Sequence, residues 1–158
     1  MSHHQFFYLF ENQEPVEFPL EQLLEIVDLH GCAASQVNST SFDVALPGVG
    51  LEGGIYLNDG GVYDFSIFEP VYGRRFFALA ADLITELGLV MFSDNELGTY
   101  IRDPAQQSQI PESISTNAAV IRNADELESA FNNGDVYREL SKSKLDGAES
   151  WRGCRRSC

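Results

Sequence analysis

Two hydrophobic periods alternate along this chain. Gln5 to Phe10 (QFFYLF) is a short aromatic run and reads as a strand. Leu20, Leu23, Leu24 and Val27 then recur at i, i+3, i+4 and i+7. Glu17, Glu21, Glu25 and Asp28 keep nearly the same period on the opposite side. That pattern predicts an amphipathic helix, with Pro19 in its first turn and Gly31 as its stop. STSFDVALP alternates Phe42, Val44 and Leu46 with polar or small residues, which predicts a strand ended by Pro47. GIYLNDGGVYDFSIFEP reads as a β-hairpin. Asn58-Asp59-Gly60-Gly61 supplies the left-handed backbone of a tight turn. The alternation places Tyr63, Phe65 and Ile67 on one face of the returning strand, with Val62, Asp64, Ser66 and Phe68 on the other.

A second helix is predicted over YGRRFFALAADLITELG. Phe76, Ala80, Leu83, Ile84 and Leu87 form its apolar stripe and Gly88 closes it. LVMFS and GTYIRD are expected strands around residues 94–98. The polar segment 103–117 reads as loop and AAVIR as a last strand. Asn123 and Glu126 fit a capping box for a third helix through Leu127, Ala130 and Phe131. Asn132-Asn133-Gly134 interrupts it, and a short helix resumes over 135–140. The order β-α-β-β-β-α-β-β-β-α, with short connections, predicts a single α+β domain over residues 1–140. It has a mainly antiparallel sheet and two or three helices packed on one face. Residues 141–158 form a basic tail without periodicity.

Charge changes the picture more than composition does. The 158 residues carry 24 acids against 10 bases, a net charge of −14. Residues 1–73 contain eleven acids and no lysine or arginine, and the first base is Arg74. From Arg138 onward six bases face three acids. An acidic body with this segregation repels phosphate backbones and anionic membranes, so neither nucleic acid nor membrane is expected as a partner. It favours a basic partner instead. A solvated helix face usually mixes Lys with Glu, because opposite charges at i,i+4 stabilise it and like charges oppose it. The stripe Glu17, Glu21, Glu25, Asp28 keeps one sign, as a face shaped for a cationic partner would. The bland reading of the same acidity is solubility.

Candidate chemistry is sparse. PGVGLEGG contains Gly48-Val49-Gly50-Leu51-Glu52-Gly53, literally the G-x-G-x-x-G of dinucleotide sites. Such a site needs a helix after the glycines, and GIYLN reads as a strand. Glu52 would also repel a phosphate. The segment is expected to be a flexible connection at the sheet edge, and Glu52 a possible contact. Asp59 and Asp64 flank Gly60-Gly61 and suggest a divalent-ion site, but the calcium-loop pattern is absent. His30 and Cys32 lie at a helix end without a second histidine in the body. No signature of a nucleophilic hydrolase, zinc protease, phosphate loop or deaminase occurs. No metal or cofactor is expected. Three cysteines do not form a disulfide framework, and the N-terminus lacks a signal-peptide pattern, so a cytoplasmic setting is expected.

The hairpin GIYLNDGGVYDFSIFEP followed by FFALAADLITELGLVMF, with the size, the acidity and the missing catalytic signatures, resembles bacterial immunity proteins of polymorphic-toxin or type VI secretion pairs. The resemblance spans roughly Phe18 to Pro111 in general pattern and transfers no functional residue. It implies a cytoplasmic inhibitor that occludes a cognate toxin. The expected contacts are Glu17, Glu21, Glu25, Asp28, Glu52 and Asp59, with Tyr56, Tyr63 or Tyr72 as aromatic anchors. Two other classes compete. One is a small enzyme with a carboxylate or metal-assisted site near Asp59 and Asp64. The other is a homo-oligomeric adaptor, such as a homodimer, built through QFFYLF.

Overall fold

The computed structural model describes residues 4–93, 98–115 and 118–133. In chain order these form β1 (His4–Glu11), β2 (Glu14–Val16), α1 (Leu20–Leu29), β3 (Ala33–Asn38), β4 (Ser41–Ala45), β5 (Gly50–Asn58) and β6 (Gly61–Pro70). There follow α2 (Arg74–Leu87), β7 (Val90–Ser93), β8 (Tyr100–Ile101), a 3-10 helix (Pro104–Gln109), α3 (Glu112–Ser115) and β9 (Ala119–Val120). A last helix, α4, occupies 124–133. The expected short helix over 135–140 and the tail lie outside the described residues.

The strands make one sheet in the order β3-β4-β5-β6-β1-β7-β8-β9, and β2 pairs the far end of β1. All pairings are antiparallel except β8 with β9. The expected mainly antiparallel α+β architecture is therefore present. β1 is interior: its Gln5–Phe7 segment is paired with β6 on one side and β7 on the other. The Gln5–Phe7 part of QFFYLF thus has both of its strand edges paired within the chain.

One face of the sheet is closed. Phe7, Ile55, Phe65, Ile67, Met91 and Tyr100 point into a core shared with Leu23 and Val27 of α1, seven side chains of α2, and Leu127 and Phe131 of α4. α2 is more deeply buried than a single stripe requires, because it packs on α1 and, through Phe77, on Phe131 of α4 at 5.5 Å. Tyr72 belongs here as well. Its hydroxyl accepts from Gln5 Nε2 at 3.0 Å and its ring lies 4.5 Å from that of Phe131, so it is no surface anchor.

The other face carries a smaller core of Phe10, Val90, Ile101 and Ile110, with Ile114 of α3 packed against it. The 3-10 helix and α3 thus begin and end a short cover over β7 and β8, inside the segment expected to be loop. Helices consequently lie on both faces, the long ones on one and the short ones over part of the other. This corrects the expectation of helices on one face only.

Helix ends follow their sequence signals. Gly88 adopts the left-handed conformation that stops α2. At α4, Asn123 Oδ1 accepts from Glu126 N at 2.9 Å. The Glu126 carboxylate reaches back to Arg122 N and to the Arg122 guanidinium, at 2.9 and 2.7 Å. The capping box is thus shifted by one residue at its second half.

The glycine segment is not the flexible edge connection expected. Only 47–49 turn; Gly50 to Gly54 lie in β5, an interior strand between β4 and β6. Close packing explains these glycines. A Cβ on Gly50 would lie 2.6 Å from Ile67 Cγ2, and one on Gly53 2.9 Å from Leu46 Cδ1. No helix follows them, so there is no N-terminus to meet a pyrophosphate.

Candidate binding surface

The expected contact residues divide into two groups separated by the sheet. Glu21, Glu25 and Asp28 are exposed on α1, over the closed face. Glu17 precedes α1 and is tied to the β5–β6 hairpin, where its Oε2 accepts from Asn58 Nδ2 at 3.1 Å. The adjacent Phe18 and Val62 exchange both backbone hydrogen bonds, at 2.9 and 2.8 Å. Glu17 therefore stands beside the turn that carries Asp59, whose φ of 53° with Gly60 at 83° is the left-handed pair a tight hairpin demands. Glu52 and Tyr56 are on the opposite, open face, with Gly54 between them on the same side of β5. One contiguous acidic face through all these residues does not exist.

The open face has a definite layout. β4 and β5 contribute Asp43, Glu52 and Tyr56, all exposed. β6 contributes Asp64, Ser66 and Phe68. β1 and β7 contribute His4, Phe6, Tyr8, Phe10 and Phe92. Their rings form a continuous ladder: His4–Phe68 at 4.7 Å, His4–Phe6 at 5.6 Å, Phe6–Phe92 at 5.4 Å, Tyr8–Phe92 at 5.2 Å and Tyr8–Phe10 at 5.7 Å. Phe6, Tyr8, Phe68 and Phe92 are all half-buried, because the short helices cover only the Phe10 end.

A register irregularity sets the chemistry at the centre. Tyr56 opposes Asp64, yet Leu57 opposes Val62, so Tyr63 is an extra residue in β6. The bulge breaks the expected alternation. Val62, Phe65 and Ile67 all enter the closed core, while Tyr63 is 40% exposed. Tyr63, expected on the Phe65–Ile67 face, is the extra residue of the bulge and stays out of the closed core. The bulge thus places Tyr63 next to Asp64 along β6, while Tyr56 faces Asp64 across the strand pair and Tyr8 hydrogen-bonds to it. Tyr56 lies flat over Gly54, where a Cβ would meet its hydroxyl at 2.7 Å.

Asp64 is the distinctive group. Its Oδ2 accepts from the Tyr8 hydroxyl at 3.2 Å, while its Oδ1 is out of solvent contact and has no donor. Burial pushes its pKa up, against the Tyr8 hydrogen bond and the charge of His4, which pull it down. The Tyr8 phenol is pushed up to about 12, first by burial and then by the Asp64 charge and hydrogen bond. A partly desolvated carboxylate with one empty oxygen is an acceptor waiting for a donor.

The alternatives weighed on the sequence are a divalent-ion site near Asp59 and Asp64 and a thiol beside His30. Among the described residues no group of three His, Cys, Asp or Glu side chains is placed to hold a metal ion. Cys32 is buried and its thiol is pushed up by that burial, against a smaller opposing effect of Arg75. His30 Nε2 instead meets Asp82 Oδ2 at 2.6 Å, joining the end of α1 to α2. Among the described residues no helix is long and apolar enough to cross a membrane.

The arginines of this part of the chain have structural tasks. Arg75 donates to His30 O at the C-terminus of α1 (3.1 Å), and Arg102 donates to Thr85 O in the last turn of α2 (2.9 Å). Each supplies a donor and a positive charge where a helix end leaves carbonyls unmatched. Arg122 is held by Glu126. Sequence reasoning named Tyr56 and Tyr63 as contacts and Asp64 only as a divalent-ion or carboxylate-site candidate, and it missed Tyr8. The single available signal was an aspartate inside the apolar alternation VYDFSIF. No protein-family profile, curated protein or solved structure matches this chain, so the candidate surface rests on the geometry of its own residues.

Proposed function

We propose that this protein is a stoichiometric inhibitor of the immunity type, which binds a basic partner protein and occludes its working surface. The observation that supports this most is the imbalance of available charge. Residues 4–133 hold 20 acids and four arginines. Three of those arginines are committed to helix ends or to an internal ion pair. The acids stay available on both sides of the sheet, on α1 and on the open face. Such a field accelerates encounter with a cationic protein and rejects anionic ones. The open face adds what steering alone lacks, namely tyrosines and phenylalanines left half-exposed beside acids. That composition suits a tight protein contact.

The test is co-expression with any basic protein that a neighbouring gene encodes, followed by measurement of stoichiometry and affinity across a salt series. A one-to-one complex is expected, with affinity falling steeply as salt rises. A failure to associate, or an affinity indifferent to salt, overturns the reading.

A further inference from the structure

We propose that Asp64 and the tyrosines around it, Tyr8, Tyr56 and Tyr63, form a receptor for one arginine side chain presented by the basic partner. The inference rests on the partner reading above and names the chemistry of its central contact.

Four observations converge. Asp64 Oδ1 is buried and receives no hydrogen bond, while Oδ2 already takes the Tyr8 hydroxyl. The carboxylate therefore has half of its acceptor capacity unused in a place water does not reach. Tyr56 and Tyr63 at the rim are each 40% exposed, so large ring surface is offered at the same spot. Asp43 and Glu52 add negative charge on the neighbouring strands of this face. Finally, β1 and β3 to β6 contain no lysine or arginine, so these strands bring no cation of their own to Asp64. His4 is the basic side chain near enough to influence it.

A guanidinium fits this arrangement better than an ammonium. It is planar and weakly hydrated, so it stacks on a phenol ring while directing N–H groups in its own plane toward a carboxylate. An ammonium is a compact, strongly hydrated charge and loses more water on entry. The hydrogen bond gained at Oδ1 satisfies an acceptor that has no donor in the free chain, so the desolvation cost on the carboxylate side is already met and only that of the guanidinium offsets the gain. Because Oδ1 is shielded, the arginine must displace a rim ring. Tyr56 faces Asp64 across the strand pair and rests directly on Gly54, which has no side chain to lock the ring in place.

The experiment uses the full chain and three capped peptides, Gly-Arg-Gly, Gly-Lys-Gly and Gly-citrulline-Gly, followed by the ring resonances of Tyr8, Tyr56 and Tyr63. The arginine peptide is expected to give saturable shifts of all three rings. The citrulline peptide, neutral and of the same shape, is expected to give none. Asp64→Asn, which keeps shape and removes charge, is expected to weaken arginine binding about tenfold. Equal binding by Asp64→Asn, equal binding by citrulline, or no saturable shift overturns the proposal. Lysine binding as tightly as arginine overturns the guanidinium assignment. If Arg152, Arg155 and Arg156 changed to Gln alter the rim resonances with no peptide present, the occupant is the chain's own tail and the partner assignment falls. A failed titration alongside an intact salt-sensitive complex removes the receptor and leaves the proposed function. A successful titration with no complex does the reverse.

Discussion

The two faces of the sheet obey different rules. Under α1, α2 and α4, Phe7, Phe65, Ile55 and Ile67 have essentially no contact with solvent. On the other side the short cover of the 3-10 helix and α3 encloses Phe10 and Ile101, then stops. Phe6, Phe68 and Phe92 are left half in water, and a carboxylate is half out of it. The first face is what folding alone produces when long amphipathic helices are available. The second leaves apolar area and acceptor capacity unsatisfied, which a stable monomer gains nothing by keeping. The partner contact proposed above would use both.

Substitutions that probe each face sharpen the contrast. Phe65→Ala removes a fully buried ring and is expected to lower unfolding free energy by about 3–5 kcal/mol in denaturant titrations. Phe6→Ala on the open face is expected to lower it by no more than about 1–2 kcal/mol, in proportion to its partial burial. Equal losses would erase the distinction between a closed and an open face. Next in size is Arg102→Ala. It leaves the last turn of α2 without its donor to Thr85 O and is expected to lower stability by about 0.5–1.5 kcal/mol, read from the same curves.

The smallest effects carry the sharpest signs. Burial raises the Asp64 pKa in the folded chain, so folding binds its proton more tightly than the unfolded state does. Stability then falls as pH rises from the ordinary carboxylate value through the folded one, and the loss persists at neutral pH. Asp64→Asn is accordingly expected to raise the melting temperature slightly at pH 7. The gain should shrink toward zero once the pH lies below both values. A variant less stable than the parent at pH 7 would show that the carboxylate is a structural asset. At the other end of the scale, Tyr8 titrates at about 12 when folded and about 10 when unfolded. Its contribution is complete below pH 10 and lost between 10 and 12. Ultraviolet titration of the phenols should show one late-ionising tyrosine, and Asp64→Asn should bring it down only part of the way, because burial is the larger cause.

Most of the framework was readable from periodicity. The seven strands and the three helices expected around Leu23, Ala80 and Leu127 are all present; the helices and the longer strands carry a buried stripe, while β7, β8 and β9 are too short to show alternation. The failures have physical reasons. β3 (AASQVN) is an edge strand, nearly all exposed, so it carries no alternation to read. β2 contains Pro15 and three residues, and is recognisable only through its partner. The bulge at Tyr63 reverses the face of one tyrosine, and nothing local in VYDF announces it. The candidate surface was the least legible part. Tyr8 and Asp64 are 56 residues apart, and only the insertion of β1 beside β6 brings them together. The acidic stripe on α1 was easy to see, because it is local; it lies over the face opposite Asp64.

That insertion also governs the order in which the chain can be made. β3, β4, β5 and β6 form a meander whose neighbours in space are neighbours in sequence. β1 precedes β6 and β7 in the chain, yet Phe6 pairs with Ser66 on one side and Phe92 on the other and must wait for both. During synthesis the aromatic run Phe6–Phe7–Tyr8 therefore spends its early life with both strand edges open. Long-range pairing of this kind slows folding and lengthens the interval in which an unpaired strand can find the wrong neighbour. Every charged side chain among the first 73 residues, histidines aside, is an acid. Like charges of this kind oppose the approach of two unfolded copies, so the acidity proposed to steer a basic partner would also act against mispairing of the central strand.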